Sequence, residues 1–176
     1  MNLSSTNASS HQPLRLLVRI RPIRSADAGL LADAFAALSA ASRRARFLAA
    51  RHQLSARELS YLTDVDHHDH EALVAVDRFR GRLLGVARFV RDETDPTNAE
   101  VAAEVIDEFQ GRGIGTLLAR QLVTRARAEG VTTLTARMAR GNTRARRLLA
   151  ATGPVDVVAR DGATVTYRST LLHAVR

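Results

Sequence analysis

The chain reads as a mixed α/β sandwich built on one central sheet, and three observations predict it. Strand-like and helix-like runs follow one another in the order β, three helices, β-β-β, α, β, α, β-β. A glycine-rich turn, Gln110-Gly111-Arg112-Gly113-Ile114-Gly115, joins a strand-like run to a helix-like one. With 176 residues, no internal repeat and no linker, the chain makes one domain large enough for a core.

Leu16 to Ile20 gives the first strand, closed by Arg21-Pro22. Helix one spans Ala26 to Ala40 behind a Ser25 cap, with Leu30, Leu31, Ala34, Phe35 and Leu38 at helical spacing. A short basic helix covers Arg43 to Arg51. Ser55-Ala56-Arg57-Glu58 is a capping box that opens a third helix through Leu62. An acidic, histidine-rich loop runs from Asp64 to Glu71, and Ala72 to Val76 with Leu83 to Val90 form a hairpin around Arg80-Gly81. Strand four is Ala99 to Ile106. The glycine turn then opens a helix from Thr116 to Glu129, ended by Gly130. Val131 to Met138 is strand five. Gly141-Asn142-Thr143 starts the last helix, which Gly153-Pro154 ends, and Val155 to Arg160 and Ala163 to Leu172 close the chain as a hairpin.

Met1 to Pro13 is polar with no apolar core, so residues 1–13 are expected to be a disordered tail rather than a secretory signal, and residues 14–176 the folded domain. No apolar run is long enough to span a bilayer. The absence of cysteine removes disulfides, cysteine zinc sites and thiol nucleophiles together. These features lead to a cytoplasmic expectation. The net charge is +8, and every cationic side chain is arginine, because the sequence contains no lysine. Such a charge admits nucleic acid, acidic proteins or a polyphosphate ligand. Two Tyr, five Phe and no Trp leave few stacking platforms, so nucleic acid is disfavoured.

A glycine turn that opens a helix concentrates backbone N–H groups and the positive helix end at one place, which is a phosphate site. A dinucleotide fingerprint wants a third glycine where this chain has Thr116, and an acid after the next strand, where Arg137 and Arg140 stand. The N-terminal part also lacks the second βαβ half such a site needs. An NADP reading is therefore weak.

The pattern Q-x-x-G-x-G between strand and helix resembles the pyrophosphate loop of the GNAT superfamily of acyl-CoA N-acyltransferases. A second block supports this: Asn142, Ala145 and Gly153 stand at the family's spacing after strand five. The resemblance covers Leu16 to Leu172 and implies a mixed, mostly antiparallel central sheet flanked by helices. It implies acetyl-CoA as acyl-donor cosubstrate, with Gln110, Gly111, Arg112, Gly113, Ile114, Gly115 and Thr116 around the pyrophosphate. Ala103, Glu104 and Val105 would pair with pantetheine like an added strand, Asn142 and Ala145 would meet its arm, and Arg144, Arg146 and Arg147 come near the adenosine 3′-phosphate. The resemblance admits a homodimer.

Direct transfer to an amine requires a base rather than a covalent nucleophile, since a lysine-like amine has a pKa of about 10.4. Strand alternation puts Glu100 and Glu104 on one face with Ala102 between them, while Val101, Ala103 and Val105 point into the core. Both glutamates are catalytic candidates, and Glu100 matches the family's base better. Many members carry a Tyr seven residues after the Asn as the acid; here Leu149 occupies that place. Tyr167, on the last hairpin, is the substitute considered.

Arg21-Pro22-Ile23-Arg24, Leu38-Ser39-Ala40-Ala41-Ser42-Arg43, Arg46-Phe47 and Leu62-Thr63-Asp64-Val65-Asp66-His67 are similar to the catalytic domain of bacterial protein lysine acetyltransferases. The resemblance implies a primary-amine acceptor such as a protein lysine. A small-molecule amine acceptor, or a non-catalytic acyl-CoA-binding module, are the alternatives. The loop Asp64 to Glu71 has no set metal geometry and is expected either to line the acceptor cleft or to stay solvated; no metal is assigned.

Overall fold

The computed structural model describes residues 18–171. The expected tail, residues 1–13, lies outside them, as do the outer ends of the first and last strands. Among the described residues seven strands form one sheet in the order β1-β2-β3-β4-β5-β7-β6. These are β1 Val18–Pro22, β2 His70–Asp77, β3 Leu83–Arg91, β4 Asn98–Val105, β5 Thr133–Ala139, β6 Val155–Asp161 and β7 Thr164–Thr170. Five helices pack on it: α1 Ala28–Ala36, α2 Ala40–Phe47, α3 Ala56–Thr63, α4 Ile114–Ala128 and α5 Thr143–Ala150. Every pairing is antiparallel except β4 with β5.

That parallel pairing is short. It joins Asn98, Ala99 and Glu100 to Thr133, Leu134 and Thr135 and then stops, although both strands continue. From Val101 to Val105, β4 keeps a strand neighbour only on its β3 side. The sheet therefore opens as a wedge between β4 and β5.

Strand alternation assigns the two faces. Glu71 and Phe89 are register partners, and Arg125 of α4 reaches Glu71, so α4 covers that face. Leu118, Leu122 and Ala126 of α4 are buried there with Leu73, Ala87 and Phe89. Arg88 and Ala102, also partners, face the other side, under α2 and α3. There the rings of Phe35 and Phe47 meet edge to face at 5.5 Å.

Three helix starts differ from the expectation, α4 beginning at Ile114 rather than Thr116. Ser25 does not cap helix one: residues Ser25–Asp27 form a 3-10 turn, and Ser25 Oγ donates to Asp64 Oδ1 at 3.1 Å instead. The buried Asp27 organises this corner, accepting from Arg21 Nη1 and Nη2 at 2.6 and 2.8 Å and from Arg24 N at 2.9 Å. The basic helix starts three residues early, at Ala40, because Ser39 caps it by accepting from Ser42 N. It ends at Leu48, whose φ of 56° is left-handed. The capping box at Ser55 and Glu58 forms as expected, with Glu58 Oε2 accepting from Ser55 N at 2.9 Å.

Gly153 is set by close approach. A Cβ there would lie 2.0 Å from the Thr170 carbonyl oxygen of β7. Its place in the second sequence block thus comes from backbone packing behind α5. Gly153→Ala should lower unfolding stability by about 2 kcal/mol or more, the usual scale for forced overpacking; an unchanged urea midpoint would refute the contact.

Candidate active site

The glycine turn follows β4 directly. Gly111 and Gly113 take φ of 75° and 85°, a region that side chains with a Cβ adopt at a cost. Gly113 is the N-cap of α4, and no side chain caps that end. The first-turn N–H groups of α4 thus have neither intrahelical nor side-chain partners and converge with the positive helix end. Gly115 packs beside α5, where a Cβ would meet Leu148 Cδ2 at 3.6 Å in ordinary contact.

Gln110 behaves differently from the residues that follow it. Its Nε2 donates to Val105 O at 2.9 Å and to Ser42 Oγ at 3.3 Å, and its Oε1 accepts from Arg144 Nη1. This side chain locks the turn to the end of β4 and to both flanking helices. Asn142 caps α5, its Oδ1 accepting from Ala145 N at 3.1 Å.

Asp107, in the short turn after β4, accepts from Ser39 N and Ser39 Oγ at 2.9 and 3.0 Å and from Ser42 Oγ at 2.8 Å. Burial opposes its ionisation, but these hydrogen bonds outweigh burial and hold its carboxyl below the usual range. The contacts fasten the start of α2 beside the end of β4. Arg46 and Phe47, near the end of α2, then form one wall of a cleft over β3 and β4.

The cleft encloses about 330 Å³. Arg46, Arg51, Tyr61, Arg88, Glu100 and Ala102 lie around it with apolar side chains between them. Glu100 is exposed in it and stands at the last residue where β4 pairs with β5. Glu104, two rows along the same face, is different. Its side chain is 14% exposed, its Oε2 is buried without a hydrogen-bond partner, and Arg46 Nε lies 3.6 Å away. Burial pushes the Glu104 carboxyl up, against the opposing pull of Arg46 and Arg88. The structure thus separates the two glutamates: one opens to the cleft, the other lies beneath it.

Sequence reasoning gave no cleft role to Arg51, Tyr61 or Arg88, and named Arg46 only within an N-terminal motif. Arg88 was visible as a lone charge inside an apolar strand. Arg46 and Tyr61 sit on helices whose facing depends on tertiary packing. Tyr167, considered as an acid, is half-buried on β7 opposite Ala136 and is not among the cleft residues, whereas Tyr61 is. Leu149 is buried in the core.

The acidic loop does not line this cleft. Asp66 Oδ1 accepts from the backbone N–H groups of His68, Asp69 and His70, which hold its carboxyl below the usual range. Asp69 lies 2.8 Å from Arg91 Nε. Glu71 is buried between His67 Nδ1 at 2.7 Å and Arg125 Nε at 2.8 Å. Its acids are thus committed to their own neighbours, and no group of three or more candidate metal ligands occurs among the described residues. No helix among those residues is long and apolar enough to cross a membrane.

Comparison with known proteins agrees with this geometry. The family model described as Acetyltransferase (GNAT) family matches residues 35–153. The chain is 39% identical over 99 residues to the acetyltransferase Pat of Mycolicibacterium smegmatis; the match covers 56% of this chain but only 30% of that relative's length. The GNAT domain of Streptomyces lividans PAT superposes with a TM-score of 0.80 at 26% identity, over 88% of this chain and 90% of that one. The structure of yncA from Salmonella typhimurium, with its cofactor acetyl-CoA, superposes with a TM-score of 0.70 over 90% of this chain and 96% of that one; at 19% identity this is a likeness of fold.

The state of Glu104 is testable through stability. A carboxyl raised in the folded state contributes stability below its unfolded value and loses it as pH rises through the folded value. Glu104→Gln should therefore be at least as stable as the parent at pH 7. The difference should shrink as pH falls below the unfolded carboxylate value of about 4.3. Thermal denaturation at both pH values checks it, and a variant clearly less stable at pH 7 contradicts it.

Proposed function

Because the chain belongs to the GNAT acetyltransferase family, we propose that it is an N-acetyltransferase that moves an acetyl group from acetyl-CoA to a primary amine, with Glu100 as general base and a protein lysine as acceptor. One observation carries the reading. The open edge of β4 starts one residue after Glu100, so the base stands where cosubstrate and acceptor would meet.

The residues present fit acetyl-CoA. The uncapped N-terminus of α4, behind Gly111, Arg112 and Gly113, suits a pyrophosphate, with Ile114, Gly115 and Thr116 supplying first-turn N–H groups. The unpaired side of β4 beyond Glu100 offers backbone groups of Val101 and Ala103 and the Val105 N–H to the amides of pantetheine, as an edge strand does to a peptide, while the Glu104 main chain faces β3 and Val105 O is taken by Gln110. The Asn142 side chain is fixed at the start of α5, its Oδ1 accepting from Ala145 N, and would meet the pantetheine arm from there. Gln110 supports the loop through Val105 and Arg144 and need not touch the ligand.

Acetyl-CoA supplies an activated acetyl group when bound. The protein's tasks are to hold it in the wedge, to admit the amine from the α2–α3 side and to accept its proton. Glu100 is exposed in the cleft and free to take that proton directly or through water. Glu104 is screened from the amine and supports Arg46. With Leu149 buried and apolar, the departing thiolate takes its proton from solvent. The lysine acceptor rests on the N-terminal motif resemblance and on the likeness to Pat. The size of the cleft favours a small amine as the second reading.

Glu100→Gln should leave acetyl-CoA affinity within about twofold by calorimetry and lower kcat by roughly 10²–10⁴-fold, the range for a lost general base. Turnover retained in Glu100→Gln removes Glu100 from the role.

A further inference from the structure

Proton transfer leaves one charged group of the cleft without a task. Arg88 lies in the middle of β3 and is 5% exposed. Its Nη1 donates to the Leu62 carbonyl at 3.1 Å and to His70 Nε2 at 3.0 Å, and both partners are uncharged. The imidazole is held neutral: burial, with Arg88 beside it, pulls His70 down to about 4. Arg88 Nε is buried without a hydrogen-bond partner, and no carboxylate among the described residues forms an ion pair with Arg88. Arg46, across the cleft, also has a buried Nε without a hydrogen bond, with the Glu104 carboxylate 3.6 Å away as its ion-pair partner. Arg51, the third arginine of the cleft, is already taken by Glu58.

Buried charges in proteins are ordinarily paired, because an unpaired one forfeits its hydration without return. Here two guanidiniums, Arg88 and Arg46, share the attraction of one buried carboxylate, Glu104, whose Oε2 makes no hydrogen bond to either, so the cleft keeps an excess of positive charge. A guanidinium offers a planar fork of donors that matches a carboxylate. The register fixes its relation to the base: Glu100 faces Val90, and Arg88 faces Ala102, so the two are diagonal neighbours on one sheet face. Such positions lie about 7–8 Å apart. That span suits one molecule whose amine meets Glu100 while an anionic group reaches Arg88.

We propose that Arg88, backed by Arg46, binds a carboxylate of the acceptor, so that the preferred substrates are amines that carry a carboxylate able to fold within reach of both groups. The inference rests on the acetyltransferase reading and narrows its substrate class. The carboxylate comes from a free amino acid or from an acidic side chain next to a lysine in a protein.

The test uses the whole chain, acetyl-CoA and matched amine pairs differing only in the carboxylate. One arm compares free amino acids with their amides. The other compares capped Glu-Lys with capped Gln-Lys dipeptides. In at least one arm, kcat/KM should be tenfold or more higher for the carboxylate member, mainly through KM, and the arm that responds identifies the source. Arg88→Gln should collapse that ratio toward one, and Arg46→Met, at the less buried wall, should reduce it. Equal kcat/KM within both pairs overturns the proposal while leaving the acetyltransferase reading intact. A preference that survives in a folded Arg88→Gln overturns Arg88 as its source, and should that variant not fold, Arg46→Met and the matched pairs decide. Acetylation of no amine in either arm overturns both proposal and reading.

Discussion

The parting of β4 from β5 is the constraint on which the rest of this structure depends. A parallel pair that stops after Glu100 leaves five residues of β4 with one side free of any strand neighbour. Backbone N–H and C=O groups demand partners, so such an edge is stable where solvent or a ligand supplies them. The wedge also sets the position of the glycine turn. Because β4 ends inside it, the turn and the N-terminus of α4 open at the same place. Phosphate-binding and strand-like binding features thus share one opening.

A second set of contacts builds the acceptor side. Asp107 gathers Ser39 and Ser42 to the end of β4, and Gln110 ties Ser42, Val105 and Arg144 together. These polar links hold α2 over the sheet, since α2 has no fully buried residue of its own. Its position has a chemical result. Arg46 closes over Glu104 and leaves Glu100 open, so two glutamates of one strand face acquire different environments.

Much of this was legible in the sequence, for identifiable reasons. Glycine spacing, the Ser55 capping box and the apolar periodicity are local signals, and they gave the element order and the turn. Strand alternation put Glu100 and Glu104 on one face. Their separation was not legible, because it depends on where α2 lies, and that depends on Asp107 some sixty-five residues from Ser42. The start of α2 at Ala40, by contrast, rests on the local cap by Ser39. The acidic loop looked available to a cationic acceptor because sequence shows charges without their partners. In the fold, Asp66 satisfies its own turn and Glu71 is buried against Arg125. Gly153 was read as part of a ligand block, and the structure assigns it to backbone contact with Thr170. Sequence proximity to a motif does not separate ligand contact from packing.

The wedge as the cosubstrate site is the centre of this account, and amide hydrogen–deuterium exchange with and without acetyl-CoA tests it most directly. The account predicts slowed exchange in residues 101–105 of β4 and in residues 111–117 of the glycine turn and first turn of α4, with the acidic loop at residues 64–69 unchanged. Binding of acetyl-CoA that leaves residues 101–105 unprotected, or that protects a different part of the sheet, would contradict it.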